Sequence, residues 1–357
     1  MTAERLYLDH AATTPLLPQA AAAMRDAFAI WANPSSPHAE GRAARAAMEV
    51  ARRSIAESLG WRHDVILTSG ASEAIAIAAS AATPERRLVG ATEHDAVAAA
   101  MGEGAITLAV GADGVIDFAA LDAALASGRA LVAIQHVNNE TGVIQPIAEI
   151  AEHVRTAGSL LFADCAQSAG KLDLPDADFI AVSGHKLGGP PGIGALLVRD
   201  LATLRACGGQ ELGYRRGTQN VPAIAGFAAA LKSRTFAYKR HAELRARLDT
   251  AIGALGGIVI ATSAPRMPTI GAIAMPGLGN ASQLVQFDLA GIAISAGSAC
   301  SSGSMKTSRV LRAMGVDETL AETVIRVSFG PATSTAEVDR FIAEWTRIAA
   351  RMGLKAA

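Results

Sequence analysis

Val65-Ile66-Leu67-Thr68-Ser69-Gly70-Ala71-Ser72-Glu73-Ala74 reads as a buried strand, a glycine turn and the opening of a helix that continues to Ala82. The first backbone N–H groups of such a helix have no intrahelical partner and suit a phosphate, to which Ser72 would add a hydroxyl. The alternative is plain N-capping by Ser69 or Ser72. The same grammar recurs outward from this stretch. Ala130–Val137, Ser159–Ala163, Phe179–Ser183 and Ile193–Val198 read as buried strands, with a helix over Ile147–Ala157 among them. Strand–helix alternation implies an α/β fold with a mostly parallel sheet flanked by helices. In such sheets ligands collect at the carboxyl ends of the strands.

Composition narrows the function. A chain of 357 residues can bury a large core and form more than one domain. Hydrophobic residues make up 50% and charged residues 18%, but much of the apolar share is alanine. The longest uncharged helical run, Ala74–Thr83, is too short for a bilayer span. A net charge of −1 gives no reason to expect a nucleic-acid partner. Cys165, Cys207 and Cys300 form no CxxC pair, which argues against a zinc cluster or a disulfide framework. With no signal-peptide pattern at the start, the expected setting is cytoplasmic, with no membrane.

Chemistry-bearing residues gather at the strand ends. In Ala181-Val182-Ser183-Gly184-His185-Lys186-Leu187-Gly188-Gly189-Pro190 a lysine follows a buried strand, where an amine can lose its proton and join a carbonyl cofactor. A surface lysine is the simpler reading. Asp164 ends the apolar run Leu160–Ala163, a costly place for a carboxylate unless it meets a cation or donors; capping a following helix would also explain it. Gln167 lies three residues on. His94, after Thr92-Glu93, could stack on a flat ring or move protons, or be structural. Arg326 interrupts Val324-Ile325-Arg326-Val327-Ser328 and needs an anion, either a substrate carboxylate or an internal acid. Cys300, in Ser298-Ala299-Cys300-Ser301-Ser302-Gly303, has the setting of a reactive thiol, and Cys207 competes for that role.

The order and spacing of these blocks resemble one family nearly end to end: Tyr7–Pro15, Asn33–Ser36, Thr68–Glu73, Thr92–His94, Val137–Gly142, Asp164–Gln167, Ser183–Lys186, Gly208–Glu211, Arg216–Asn220 and Gly297–Gly303. The chain resembles cysteine desulfurases of the NifS/IscS type, among the class V aminotransferase-like enzymes that use pyridoxal 5′-phosphate (PLP). The resemblance implies fold type I, with a large PLP domain over 12–238 and a smaller α/β domain from 1–11 and 239–357 that carries the cysteine loop. It implies that Lys186 carries PLP and Asp164 pairs with the pyridine nitrogen. Gln167 would contact the phenolic oxygen, and His94 would stack on the ring. Ala71, Ser72, Ser183 and His185 would hold the phosphate, with Thr218 added from the other subunit of a homodimer. Asn139 and Arg326 would bind the carboxylate of L-cysteine, and Cys300 would become the persulfide.

The sulfur would then pass to an acceptor or Fe–S scaffold protein. The chain ends soon after Trp345, without the longer tail with which housekeeping members contact their scaffold, which leaves the acceptor open. Selenocysteine lyase, β-elimination or transamination on the same scaffold, and a non-catalytic relay protein, are the competing readings. Cys300 argues against the first group, and the presence of Lys186, Asp164, His94 and Cys300 together argues against the last. In the C-terminal third, a helix over His241–Leu255, strands near Ile258–Ala261 and Thr269–Met275, and a final helix opened by a Ser334/Glu337 capping box are expected. The Pro268-Thr269-Ile270-Gly271-Ala272 segment departs from the family pattern.

Overall fold

The computed structural model describes residues 5–297 and 308–351. In chain order its strands are β1 (Leu6–Tyr7), β2 (Asp64–Thr68), β3 (Arg86–Gly90), β4 (Ile106–Leu108), β5 (Ala130–Gln135), β6 (Leu160–Asp164), β7 (Phe179–Ser183), β8 (Gly194–Val198), β9 (Ile258–Val259), β10 (Ile270–Ala274), β11 (Ile292–Ala293) and β12 (Val324–Ser328). Seven of them form one sheet in the order β2-β8-β7-β6-β5-β3-β4. All neighbours from β7 to β4 run parallel, whereas β8 is antiparallel to both β7 and β2. The expected mostly parallel sheet is therefore present, with one reversed strand wedged into it.

Both faces of this sheet are covered, which explains why its strands read as unbroken apolar runs. Val65 and Leu67 of β2, and Val132 and Ile134 of β5, pack with the helices Ala39–Leu59, Ile147–Thr156 and Val221–Lys232. The alternate residues Ile66, Leu131 and Ala133 pack with the helices Ala71–Ala81 and Asp95–Met101 on the other face. The 21-residue helix Ala39–Leu59 has an apolar stripe running from Ala44 through Met48, Ala51 and Ile55 to Leu59, and it stops at Gly60 in a left-handed C-cap.

The rest of the chain builds a second layer. Strands β9, β10 and β12 pair antiparallel, and β1 pairs parallel with β11. The helices Tyr238–Ala254 and Thr335–Arg351 cover this layer, with Phe287 stacked on Phe341 at 4.8 Å between ring centres and Trp345 beside them. The capping box at Ser334 is present: its N–H donates to Glu337 at 2.7 Å, and the Glu337 N–H donates back to Ser334 Oγ at 3.3 Å. The unusual Gly271 also gains a reason. A Cβ there would lie 2.3 Å from Nη1 of the buried Arg245, whose other nitrogens donate to the carbonyls of Pro268 and Val327. Among the described residues, no helix is long and apolar enough to cross a membrane.

Candidate active site

A cavity of about 400 Å³ opens at the carboxyl edge of the seven-stranded sheet. The turn after β2 contributes Ser69 to Glu73, the segment after β3 contributes His94, and that after β5 contributes Asn139. Asp164 and Gln167 come from the end of β6, and Ser183, His185 and Lys186 from the end of β7. Arg326 of β12 enters from the second layer, beside Ala11 and Ala12. Ala71, Ser72, His94, Asn139, Asp164, Gln167, Ser183, His185, Lys186 and Arg326 thus share one space.

The turn after β2 is built for close approach. The helix Ala71–Ala81 has Gly70 as its N-cap and no side-chain cap. Ser69 does not cap it; its own N–H donates to Glu73. The N-capping alternative therefore fails, and the helix start is left open towards Ser72, Ser183 and His185. Behind the turn, a Cβ on Gly194 would lie 2.4 Å from the Val182 carbonyl and 2.7 Å from Gly70 Cα, so only glycine lets β8 pass there. A phosphate fits this uncapped end.

Asp164 is 8% exposed, and its Oδ1 accepts from the Ala166 N–H at 2.9 Å in a local turn; no helix follows it to be capped. Gln167 donates through Nε2 to the Ala11 carbonyl at 2.9 Å, while its buried Oε1 has no protein partner. That orphaned acceptor calls for a donor on a ligand. His94 is both structural and in the cavity. Its Nδ1 accepts from the Ala96 N–H at 3.1 Å, capping the helix Asp95–Met101 and placing the ring proton on Nε2. Burial, then the nearby Lys186 charge, lowers its pKa and keeps the ring neutral.

Lys186 lies on a single 3₁₀ turn, His185–Leu187, closed by Gly188 in the left-handed region. The N-terminal segment braces it. Thr14 donates from its N–H to the His185 carbonyl at 2.9 Å and from Oγ1 to the Lys186 carbonyl at 3.2 Å. Thr13 Oγ1 lies 3.2 Å from His185 Nδ1.

Arg326 meets the internal acid that was one of its two expected partners, and it also lines the cavity. It faces the cavity, yet Nη2 donates to Asp9 at 2.8 Å and Nη1 to the Asn139 carbonyl at 2.9 Å, while buried Nε has no partner. Other parts of the site lay inside recognised blocks but were given no role. Glu93 is fully buried behind Gln135, whose N–H it accepts at 2.6 Å, and burial pushes its carboxyl well above the usual range, so it is neutral. Glu140, likewise raised by burial, accepts from Ser308 Oγ at 2.6 Å. Asp9 lay inside a recognised block, but without a role.

Cys300 lies outside the described residues. Cys165 is fully buried, and burial pushes its thiol far up, so it is inert. Cys207 is exposed, with Sγ 3.1 Å from the Tyr214 carbonyl, and does not line the cavity. Thr218 is exposed and does not line it either. Its loop is anchored by Glu211, whose buried carboxylate accepts from Arg52, from the Leu67 N–H at 2.8 Å and from Gln219 at 2.8 Å. Arg215 in the same loop pairs with Glu73 at 3.1 Å. Among the described residues, no cluster of His, Cys, Asp and Glu could hold a metal ion.

Comparison with known proteins agrees with this geometry. The model of the family "Aminotransferase class-V" matches residues 6–341. "Cysteine desulfurase IscS" of Anaeromyxobacter sp. (strain Fw109-5) is 38% identical, over 94% of this chain and 90% of its own length. The solved NifS-like protein from Rickettsia africae ESF-5 superimposes with a TM-score of 0.87 at 28% identity, covering 97% of this chain and 99% of that one. A structure described as SspA in complex with cysteine has a TM-score of 0.79 at 31% identity, covering 92% of this chain and all of that one. With an uncapped helix start for a phosphate, a buried acid, an orphaned amide oxygen and a lysine in one cavity, the chain belongs to the PLP-dependent class-V aminotransferase family, and within it to the cysteine desulfurases of the NifS/IscS type.

Proposed function

We propose that this enzyme removes sulfur from L-cysteine, releasing L-alanine and leaving a persulfide on Cys300 for transfer to an acceptor. The observation that carries the reading is the convergence of Lys186, Asp164, His94 and the open helix start with Arg326 in one cavity. PLP, when bound, supplies an electron sink for negative charge developed at the substrate α-carbon.

The residues divide the work. Lys186 would hold the cofactor, and its amine would move the proton at Cα of the substrate. Asp164 would pair with the ring nitrogen, Gln167 would contact the phenolic oxygen, and neutral His94 would stack on the ring. The N–H groups from Ala71 onward, with Ser72, Ser183 and His185, hold the phosphate. Thr218 completes that site from the other subunit of a homodimer, which accounts for its exposed place in an anchored loop. Asn139 and Arg326 hold the substrate carboxylate. The Cys300 thiolate attacks the substrate sulfur; the Cβ–S bond breaks, and the electron pair returns to the carbon framework. Domains over 12–238, and 1–11 with 239–357, would place the two halves of the site on separate bodies. A cytoplasmic setting and an Fe–S or thio-cofactor acceptor complete the proposal.

The test is the Cys300→Ala variant in the holoenzyme. It should keep its visible cofactor absorbance and bind cysteine, yet release no sulfide in the presence of a reductant. Normal turnover would reject the persulfide route in favour of elimination, and loss of turnover in Cys207→Ala with Cys300 intact would move the nucleophile.

A further inference from the structure

We propose that Asp9 is the positioning residue of the carboxylate subsite: it orients the Arg326 guanidinium so that one edge is presented to the cavity. This rests on the reading of Arg326 as the substrate's carboxylate anchor. Arg326 is nearly enclosed, its side chain 7% exposed, and its one ion pair among the described residues is with Asp9 at 2.8 Å. The backbone of Arg326 is fixed by pairing with Ala272 in β10 and by a bridge to Ser295. Among the described residues, the side chain is held by two hydrogen-bond partners, the Asn139 carbonyl on Nη1 and Asp9 on Nη2. Arg326 lines the cavity, and its Nε is buried without a protein partner. A planar cation with two of its corners tied has its plane fixed, and with it the direction from which a carboxylate can approach.

Asp9 is itself held firmly. Its backbone bridges Ser328 of β12, and its carbonyl accepts from Tyr7 Oη at 3.1 Å. From Asp9 the chain runs directly along the cofactor end of the cavity: Ala11 accepts from Gln167, and Thr14 binds the carbonyls of His185 and Lys186. Six consecutive residues, 9–14, therefore span from the carboxylate anchor to the lysine. Asp9 sets where the substrate carboxylate sits relative to the amine that must move the Cα proton.

Charge and orientation make opposite demands on substitutions here, which gives the test its arms. Asp9→Asn keeps an oxygen for Nη2 and removes the competing negative charge. Asp9→Glu keeps the charge and pushes the guanidinium out by one methylene. The holoenzymes are compared for sulfide release from L-cysteine and for spectral titration with L-cysteine and with cysteamine, which lacks the carboxylate. Orientation predicts that Asp9→Glu raises KM for L-cysteine about tenfold, since displacements near 1 Å are costly, with cysteamine binding unchanged. Asp9→Asn should leave KM for L-cysteine within about threefold of the parent, or lower it. The proposal is overturned if Asp9→Glu behaves as the parent, if Asp9→Asn raises KM as much as Asp9→Glu does, or if either variant weakens cysteamine as much as L-cysteine, which would make Asp9 merely structural. Arg326→Gln separates the two layers of the argument. If it leaves KM for L-cysteine unchanged, the anchor reading itself fails, whatever Asp9 does; if it raises KM while Asp9→Glu does not, only the role of Asp9 falls.

Discussion

Replacing Glu211 by alanine should cost far more stability than its place in a surface loop suggests. Its side chain is completely buried, and it is the acceptor for Arg52, for the Leu67 N–H of β2 and for Gln219. Burial alone would push this carboxyl up, but those donors together hold it below the usual range. Its removal leaves Arg52, whose side chain is 18% exposed, without its buried partner and leaves a strand N–H unsatisfied. Breaking a buried pair from one side costs about 3–5 kcal/mol. With an unfolding entropy of about 2.1 cal/mol/K per residue, 357 residues give about 0.75 kcal/mol/K, so Tm should fall by about 4–7 °C. The control is Glu85→Ala, which breaks a 3.9 Å pair with Arg205 between side chains 89% and 64% exposed; there the shift should be at most about 1 °C. The assay is thermal unfolding followed by circular dichroism at saturating PLP. Equal shifts for the two variants would refute the claim that a buried clamp holds the loop carrying Thr218. The double replacement Arg52→Met with Glu211→Leu should recover only the part of the loss that comes from the unpaired Arg52, since the Leu67 N–H stays without its acceptor.

Gly194→Ala should weaken PLP retention, because its Cβ would meet the Val182 carbonyl and Gly70 Cα and push the phosphate turn outward. An overpacking cost of about 1–3 kcal/mol is expected, and cofactor release on dialysis, read from the visible band, checks it. Gly271→Ala should destabilise the second layer by a similar order, about 1–3 kcal/mol, through collision with buried Arg245; retention of the parent Tm would reject that account. Burial lowers the His136 pKa to about 4, so the unfolded chain binds this proton more readily between roughly pH 4 and 6.5. Stability should therefore fall as pH drops through that window, by about 3 kcal/mol from this group. His136→Phe should flatten the curve in denaturant titrations, and an unchanged slope would show that His136 does not carry it.

The sheet and the floor of the site were legible because burial on both faces writes each strand as an apolar run, and each run ends in residues too polar to continue it. Asp164 and Lys186 stood out for that reason, as did Arg326, a lone cation inside an apolar strand. The reversal of β8 was not legible, since Gly194–Val198 has the same apolar pattern in either direction. Nor were the partnerships of Arg326 and Glu211. Asp9 is 317 residues from Arg326, and Arg52 is 159 from Glu211, so no local periodicity marks either pair. The strand, glycine turn and helix start after β2 were legible, but capping by Ser69 or Ser72 stayed open because Gly70's place as the cap depends on the turn's geometry, not its composition.

The seam between β1 and β11 has a consequence in time. Leu6 pairs with Ile292, and Asp9 with Ser328, so this N-terminal segment leaves the ribosome long before these partners exist. Contacts this distant in sequence form late, after the entropy of closing so long a loop has been met. The seven-stranded sheet, complete by Val198, can be synthesised whole, with Thr14 and Lys186 both present, while the cavity still lacks Arg326. The cationic wall of the cavity is thus among the last parts of the chain to be made. A newly synthesised enzyme would acquire its competence to handle a reactive sulfur atom as one of the last events of its folding.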